Sequence, residues 1–500
     1  MPGGRRRDAE CKVKKILSGQ GRGKEKMGIV KILTGQTAYY GISSMLGRLL
    51  NYLLVPLWTR LIVPPDNLAI VHVLYAWAAL LNVLLTYGME TAFFRFSTDP
   101  SCDRKKVGDT AFTALLTTTT VAMVLGLLFF RQIAGAIDYG TQARCLFYFV
   151  LIVAFDTYAV IPFARLRLEN RALRYAVIKL AGIALTAAMN LLLICVLPYY
   201  GVMQIDVESV FLGNAVGSAL VLVLLGRDLW GFSIRIDRAL LRRMLSYGWP
   251  ILIGGTAYVV NEVMDRVFLR ELLPQDTAEY TLGVYGACFK LAIFITLFVQ
   301  AFRLAVEPFF FSHAKDRDAR QTYAAVTLYF TIAVAAMYIG VMANLSWLQL
   351  IIGEQYRSGI DIVPIVLFAN VFLGLYYNLS MWYKLTDRTR WGAYISILGA
   401  VVTVSVIFYG VPRYGYMAAA WSHLLTYGTM MLVSYGFGQH FYPIPYRVGR
   451  IVMYLLLAWG GGYLAWYVCG GNPWIGNAIL LVFCALVYLL ERKDFRKTMA

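Results

Sequence analysis

The sequence predicts an all-α polytopic membrane protein with about fourteen transmembrane helices, arranged as two pseudo-symmetric six-helix lobes plus two C-terminal helices. Three observations predict it. Apolar runs of membrane-spanning length recur from Leu33 to Leu490. The loops between them alternate between basic and basic-poor. The first half of the chain carries motifs that return in the second. Composition agrees: 59% of the 500 residues are hydrophobic and 15% charged, whereas ordinary soluble domains run near 45–50% and about 25%.

In chain order, residues 1–32 are polar, basic and glycine-rich, with no apolar segment of signal-peptide type. They are expected to form a disordered cytoplasmic tail, with Met27 an alternative start. The six spans of the N-lobe, residues 33–226, are read at 33–61, 68–89, 111–130, 145–163, 176–197 and 207–225. A basic linker follows at 227–246, where Ile234, Ile236, Leu240, Leu241 and Met244 alternate with Arg235, Arg238, Arg242 and Arg243. That pattern suggests an amphipathic helix on the inner leaflet, or a plain connection between halves. The C-lobe, residues 247–440, holds spans at 247–273, 282–306, 323–345, 362–383, 391–411 and 415–437. Spans at 451–469 and 474–490 and a short tail complete the chain, making up residues 441–500.

The net charge of +18 belongs to this topology rather than to nucleic acid. Arg104, Lys105 and Lys106, then Arg165 to Arg174, Arg227 to Arg243, Lys384 to Arg390 and Arg492 to Lys497 recur on alternate loops, while the loop before Val210 and the Cys469–Trp474 turn have no basic residue. Both termini are therefore expected in the cytoplasm, which requires an even number of spans. The seven cysteines and four histidines are dispersed and match no disulfide frame or metal spacing. No nucleotide motif is present, because Gly-Gln-Gly-Arg-Gly-Lys before Glu25 lacks phosphate-loop spacing. No cofactor is expected.

The repeat is read from two pairs of matches. Arg60, Pro64 and Asp66 have the same spacing as Arg270, Pro274 and Asp276. Glu90, Phe93, Phe94 and Asp99 have the same spacing as Glu307, Phe310, Phe311 and Asp316. With an even number of spans in each half, the halves form a parallel repeat. Transporters of that build place substrate between the halves.

Charges inside spans then mark candidate sites, since each is costly in lipid. Arg48 lies on a face with Thr37, Gly41, Ser44 and Asn51, facing either substrate or a structural ion pair. Glu262, Arg266 and Arg270 stack at four-residue steps beside Asn261 and Asp265. Arg266 either pairs with Glu262 or enters a cavity, and Arg270 reaches the outer interface. Lys290 either snorkels or faces the cavity. Asp156 is deep and is read as a counter-charge to Arg48. Substrate binding is thus assigned to Arg48, Arg266, Lys290, Asp265 and Asp156. Glu90, Arg95, Arg303 and Glu307, near helix ends, are read as gate or anchor residues. A cavity holding Arg48, Arg266 and Lys290 would favour an anion such as pyrophosphate, whose oxygens suit arginine forks.

Several stretches carry a family resemblance: Pro56-Leu-Trp-Thr-Arg60 with Pro64, Tyr247-Gly-Trp-Pro250, Asp265-Arg266, Gly283 to Lys290, and Gln300 through Phe311. From Met27 to the last span, the chain resembles the oligosaccharide flippases of the polysaccharide-transporter family (O-antigen or Wzx type), in the superfamily of MATE drug exporters and lipid II flippases. It departs from that pattern at Asp66-Asn-Leu-Ala, where the family often has Glu-Tyr-Gly. The resemblance implies a non-enzymatic flippase of the bacterial inner membrane. Such a protein moves undecaprenyl-pyrophosphate-linked oligosaccharide by alternating access, amid membrane lipids and with the polysaccharide polymerase and chain-length regulator as partners. Coupling protons, if used, would fall to Asp156, Asp265 or Glu307. The alternatives are a lipid II-type flippase and a MATE-like cation or drug antiporter; Arg48 disfavours the latter. An integral-membrane glycosyltransferase or polymerase would need a sizeable acidic loop, and the outer loops are short.

Overall fold

The computed structural model describes Leu46, Leu49 and residues 52–314 and 316–499. Every regular element among these residues is helical. That is the outcome membrane burial dictates, because each backbone N–H and C=O must be satisfied within its own segment. The chain is a multi-pass membrane protein. Eleven helices among the described residues are long and apolar enough to cross a bilayer, and each matches an expected span. The expected seventh and twelfth spans are 26-residue helices, Arg238–Val263 and Tyr416–Phe441. Their polar residues keep them out of that set. Most of the expected first span, with Arg48, lies outside the described residues.

The N-lobe consists of α1 (Val55–Leu61), α2 (Asp66–Thr86), α3 (Met89–Ser97), α4 (Arg104–Ala136), α5 (Ala143–Leu168), α6 (Ala172–Leu191) and α7 (Glu208–Leu229). The second expected span, 68–89, is α2, which ends where Tyr87 and Gly88 both take positive φ, at 33° and 73°, and the short helix α3 continues beyond it. Asp103 starts α4 by accepting the Lys105 backbone N–H at 2.9 Å. Helices α4 and α6 pack on α5 and α7.

The C-lobe consists of α8 (Arg238–Val263), α9 (Asp265–Leu272), α10 (Gln275–Phe289), α11 (Ile293–Ser312), α12 (Ala319–Ala343), α13 (Ile362–Leu379), α14 (Arg390–Tyr414) and α15 (Tyr416–Phe441). Its start revises the expected linker. The basic segment from Arg238 is not a separate helix but the first turns of α8, capped by Asp237 at the Leu240 N–H. The first halves of the two lobes correspond. The short helices α1 and α9 each end near a proline and lead into a long, interrupted helix pair, α2–α3 in one lobe and α10–α11 in the other. The appended helices α16 (Val448–Tyr463) and α17 (Pro473–Met499) pack against α12. Asn344 and Asn477 exchange hydrogen bonds there at 3.1 Å. Between the two appended helices, buried Glu491 accepts from Arg450 at 2.7 Å and Tyr454 at 2.8 Å.

The basic loops gather at one end. Arg171 and Arg174 meet Asp228, Arg167 meets Glu90, and Arg95 shares a pocket with Arg242 and Arg243. In the C-lobe, Arg303 and Lys384 meet on Glu307. At the opposite end the two lobes are stitched together by main-chain contacts. Arg60 Nη2 donates to the Leu350 carbonyl at 2.8 Å, Tyr356 Oη to that of Ile62 at 2.6 Å, and Gly353 N to Thr59 Oγ1 at 3.1 Å.

Candidate functional site

Between the lobes lies a cavity of about 450 Å³. The N-lobe contributes Tyr52, Trp58, His72, Tyr75 and Asn214, and the C-lobe contributes Glu262, Arg266, Phe289, Lys290 and Tyr427. Arg266 stands on the first turn of α9, and Lys290 on a single 3-10 turn that joins α10 to α11. Those two helix breaks set both cations on the same wall.

Arg266 is held rigidly. One face of its guanidinium lies 4.2 Å from the Phe289 ring centroid, and Nη1 donates to Asp265 Oδ1 at 2.7 Å and to the Glu262 carbonyl at 2.9 Å. The Glu262 carboxylate does not pair with it; that oxygen accepts from Tyr427 Oη at 2.8 Å. Asp265 has no exposed surface and does not itself line the cavity. Its second oxygen accepts from Tyr285 Oη at 2.5 Å and lies 3.1 Å from His423 Nε2. Three helices, α9, α10 and α15, thus converge on one buried carboxylate, and its task is to orient Arg266. Lys290 lies 4.9 Å from the Trp58 ring centroid, a cation–π contact across the lobe boundary, and makes no ion pair among the described residues. Trp58 is fixed in turn by its Nε1–H to Asn190 at 3.1 Å.

Asp156 lies in a separate N-lobe cavity of about 760 Å³ with Lys179, Arg167 and Glu90. It accepts from Ser218 Oγ at 2.9 Å; its expected partner Arg48 is outside the described residues. The two cavities adjoin, because Tyr75 and Asn214 line both. The gate-or-anchor residues all lie at the basic end. Glu90 binds Arg167, Arg303 binds Glu307 at 3.1 Å, and Arg95 stands near Asp99 and Arg243. Arg270 falls at the opposite end, 2.7 Å from Glu279 and stacked 4.2 Å from the Tyr139 centroid. His72, Tyr285, His423 and Tyr427 were not singled out from sequence. His423 meets Asp265 across 158 positions, a separation that leaves no local signal. Among the described residues no group of three or more His, Cys, Asp or Glu stands close enough to hold a metal ion.

This arrangement sets Arg266 and Lys290 on one wall of a cavity between the two lobes, a placement that suits an anion. Residues 33–314 match the model of the polysaccharide biosynthesis protein family, more than half of the chain. The chain belongs to that family. No curated protein sequence matches it significantly. Among solved structures it is similar to the lipid II flippase MurJ in an inward closed conformation, with TM-score 0.69 and 13% identity over 89% of this chain and 98% of that one. It is also similar to a MATE-family multidrug resistance transporter in an inward-facing conformation, with TM-score 0.62 and 14% identity over 81% of this chain and 95% of that one. A Vibrio cholerae MATE transporter gives TM-score 0.56 and 11% identity over 83% of this chain and 98% of that one. At these identities the likeness is one of fold. The polysaccharide biosynthesis family member therefore shares the fold of those structures.

Proposed function

We propose that the protein is a flippase that moves undecaprenyl-pyrophosphate-linked oligosaccharide across the bacterial inner membrane for surface polysaccharide synthesis. The pairing of Arg266 and Lys290 on one wall of the interlobe cavity carries this reading. Among the described lining residues two cations outnumber one carboxylate, Glu262, a balance that suits a pyrophosphate and disfavours the cationic substrate of a drug antiporter. Family membership supports the polysaccharide context, and the fold shared with MurJ supports lipid-linked cargo. The basic loops face the cytoplasm, both termini lie there, and the lobes are closed at the outer end. Substrate loads from the inner leaflet, and rocking of the lobes breaks the contacts around Gly353. The polymerase and chain-length regulator act on the delivered product. Asp156, which lines the N-lobe cavity, carries a coupling proton if one is used.

Complementation tests the reading. The wild-type gene restores surface polysaccharide to a strain lacking its flippase, whereas Arg266→Gln with Lys290→Gln does not, at equal membrane abundance. Full restoration by the double variant would refute the cationic-site assignment.

A further inference from the structure

A second C-lobe cavity, of about 1010 Å³, lies beside the interlobe site and has no part in the reading above. Helices α8, α11, α13, α14 and α15 bound it, and it reaches the basic end at Lys384 and Arg390. Its lining is unusual in composition. Seven of its residues are tyrosines, among them Tyr258, Tyr376, Tyr377, Tyr394 and Tyr427. The N-lobe cavity, on the far side of the interlobe site, has two, Tyr75 and Tyr175. A cavity for lipid tails calls for aliphatic walls. A tyrosine instead offers a flat apolar face and a hydroxyl that donates and accepts. Those are the two features of a pyranose, with its C–H faces and its rim of hydroxyls.

The polar groups are placed to match. Arg303 stacks 4.5 Å from the Tyr377 ring centroid and, with Lys384, is held on Glu307, so the cations are oriented within the tyrosine wall. Tyr376 and Tyr383 hydroxyls meet at 3.4 Å. Tyr258 and Tyr394, both in the lining, retain 42% and 58% of their surface. Tyr427, buried and bonded to Glu262 at 2.8 Å, stands between this cavity and the interlobe one and lines both. A ligand with its pyrophosphate at Arg266 and Lys290 therefore has a neighbouring tyrosine-lined space of about 1010 Å³ for what the pyrophosphate carries.

We propose that this C-lobe cavity is a saccharide subsite, which takes the pyranose rings of the lipid-linked substrate while Arg266 and Lys290 hold its pyrophosphate. The proposal rests on the flippase reading and names which lobe carries the sugar.

Its test uses the full-length protein in lipid nanodiscs and two probes: undecaprenyl pyrophosphate, and the same lipid bearing a chitobiose disaccharide. Native mass spectrometry reads both affinities. The disaccharide probe binds wild type more tightly than the bare lipid. Tyr258→Ala and Tyr394→Ala each weaken the disaccharide probe by about threefold to tenfold, the size of an aromatic contact, and leave the bare lipid unchanged. Unchanged bare-lipid binding also shows that these variants are folded. Tyr258→Phe, which keeps the ring, retains most of the gain, and Arg266→Gln weakens both probes. No gain from the disaccharide in wild type, or equal loss of both probes in the tyrosine variants, would overturn the subsite while leaving the flippase reading intact. Binding of neither probe by wild type would overturn both.

Discussion

Asp265 and Arg266 show how a single buried pair becomes a binding device. The carboxylate is wholly buried, yet three side chains from three helices bond it. Removing one partner of such a pair strands the other charge, at a cost of about 3–5 kcal/mol. Asp265→Ala should therefore lower the thermal unfolding midpoint in detergent sharply. Tyr285→Phe deletes one hydrogen bond to a charged group and should cost about 1.5–3 kcal/mol. A loss below about 1 kcal/mol for Asp265→Ala, the size of an exposed pair, would mean that Arg266 is not held by this network. Arg266→Lys is a separate question of function: it keeps the charge and loses the planar fork. Transport should fall at least about tenfold, as expected for the loss of a charged hydrogen bond.

At the scale of elements, function rests on breaks in helices. Arg266 sits just past the α8–α9 break at Met264, and Lys290 on the turn between α10 and α11. Where the lobes meet, small residues permit contact between backbones. A β-carbon on Gly353 would collide with the Thr59 carbonyl, and one on Gly88, whose φ is 73°, would come within 2.6 Å of the Gly248 carbonyl. Gly353→Val should force the outer contacts open. With the native cysteines replaced, a cysteine in place of Thr59 should then react several-fold faster with a membrane-impermeant thiol reagent. An unchanged rate would place the closure elsewhere. Helix positions were legible in the sequence because apolar periodicity and loop charge are local signals, and so was the grouping of Arg266 with Lys290. The helical continuation beyond Tyr87–Gly88 was not, since Glu90 and Arg95 interrupt the apolar run there. Nor was the fusion of the basic segment into α8, because an amphipathic pattern does not show whether a helix ends. The Asp265–His423 contact and the tyrosine cavity depend on helices brought together only by tertiary packing.

At the scale of the whole molecule, three neighbouring cavities cross the two lobes and share lining residues, Tyr75 and Asn214 on one side and Tyr427 on the other. The contacts of Arg60, Thr59 and Ile62 with residues 350–356 close the end opposite the basic loops. Alternating access requires those contacts to break in each cycle. With the native cysteines replaced, a short reducible bifunctional thiol cross-link between cysteines replacing Arg60 and Leu350, which meet at that end, should stop transport, and reduction should release it. Transport through the cross-linked protein would show that the lobes need not part there. The most direct measurement is flipping itself, in proteoliposomes holding the purified protein and a fluorescent undecaprenyl-pyrophosphate disaccharide, read by accessibility to an external enzyme. Wild-type protein should translocate the lipid, and Arg266→Gln combined with Lys290→Gln should reduce the rate to that of protein-free vesicles while the protein remains folded. Undiminished flipping by that double variant would contradict the cationic interlobe site.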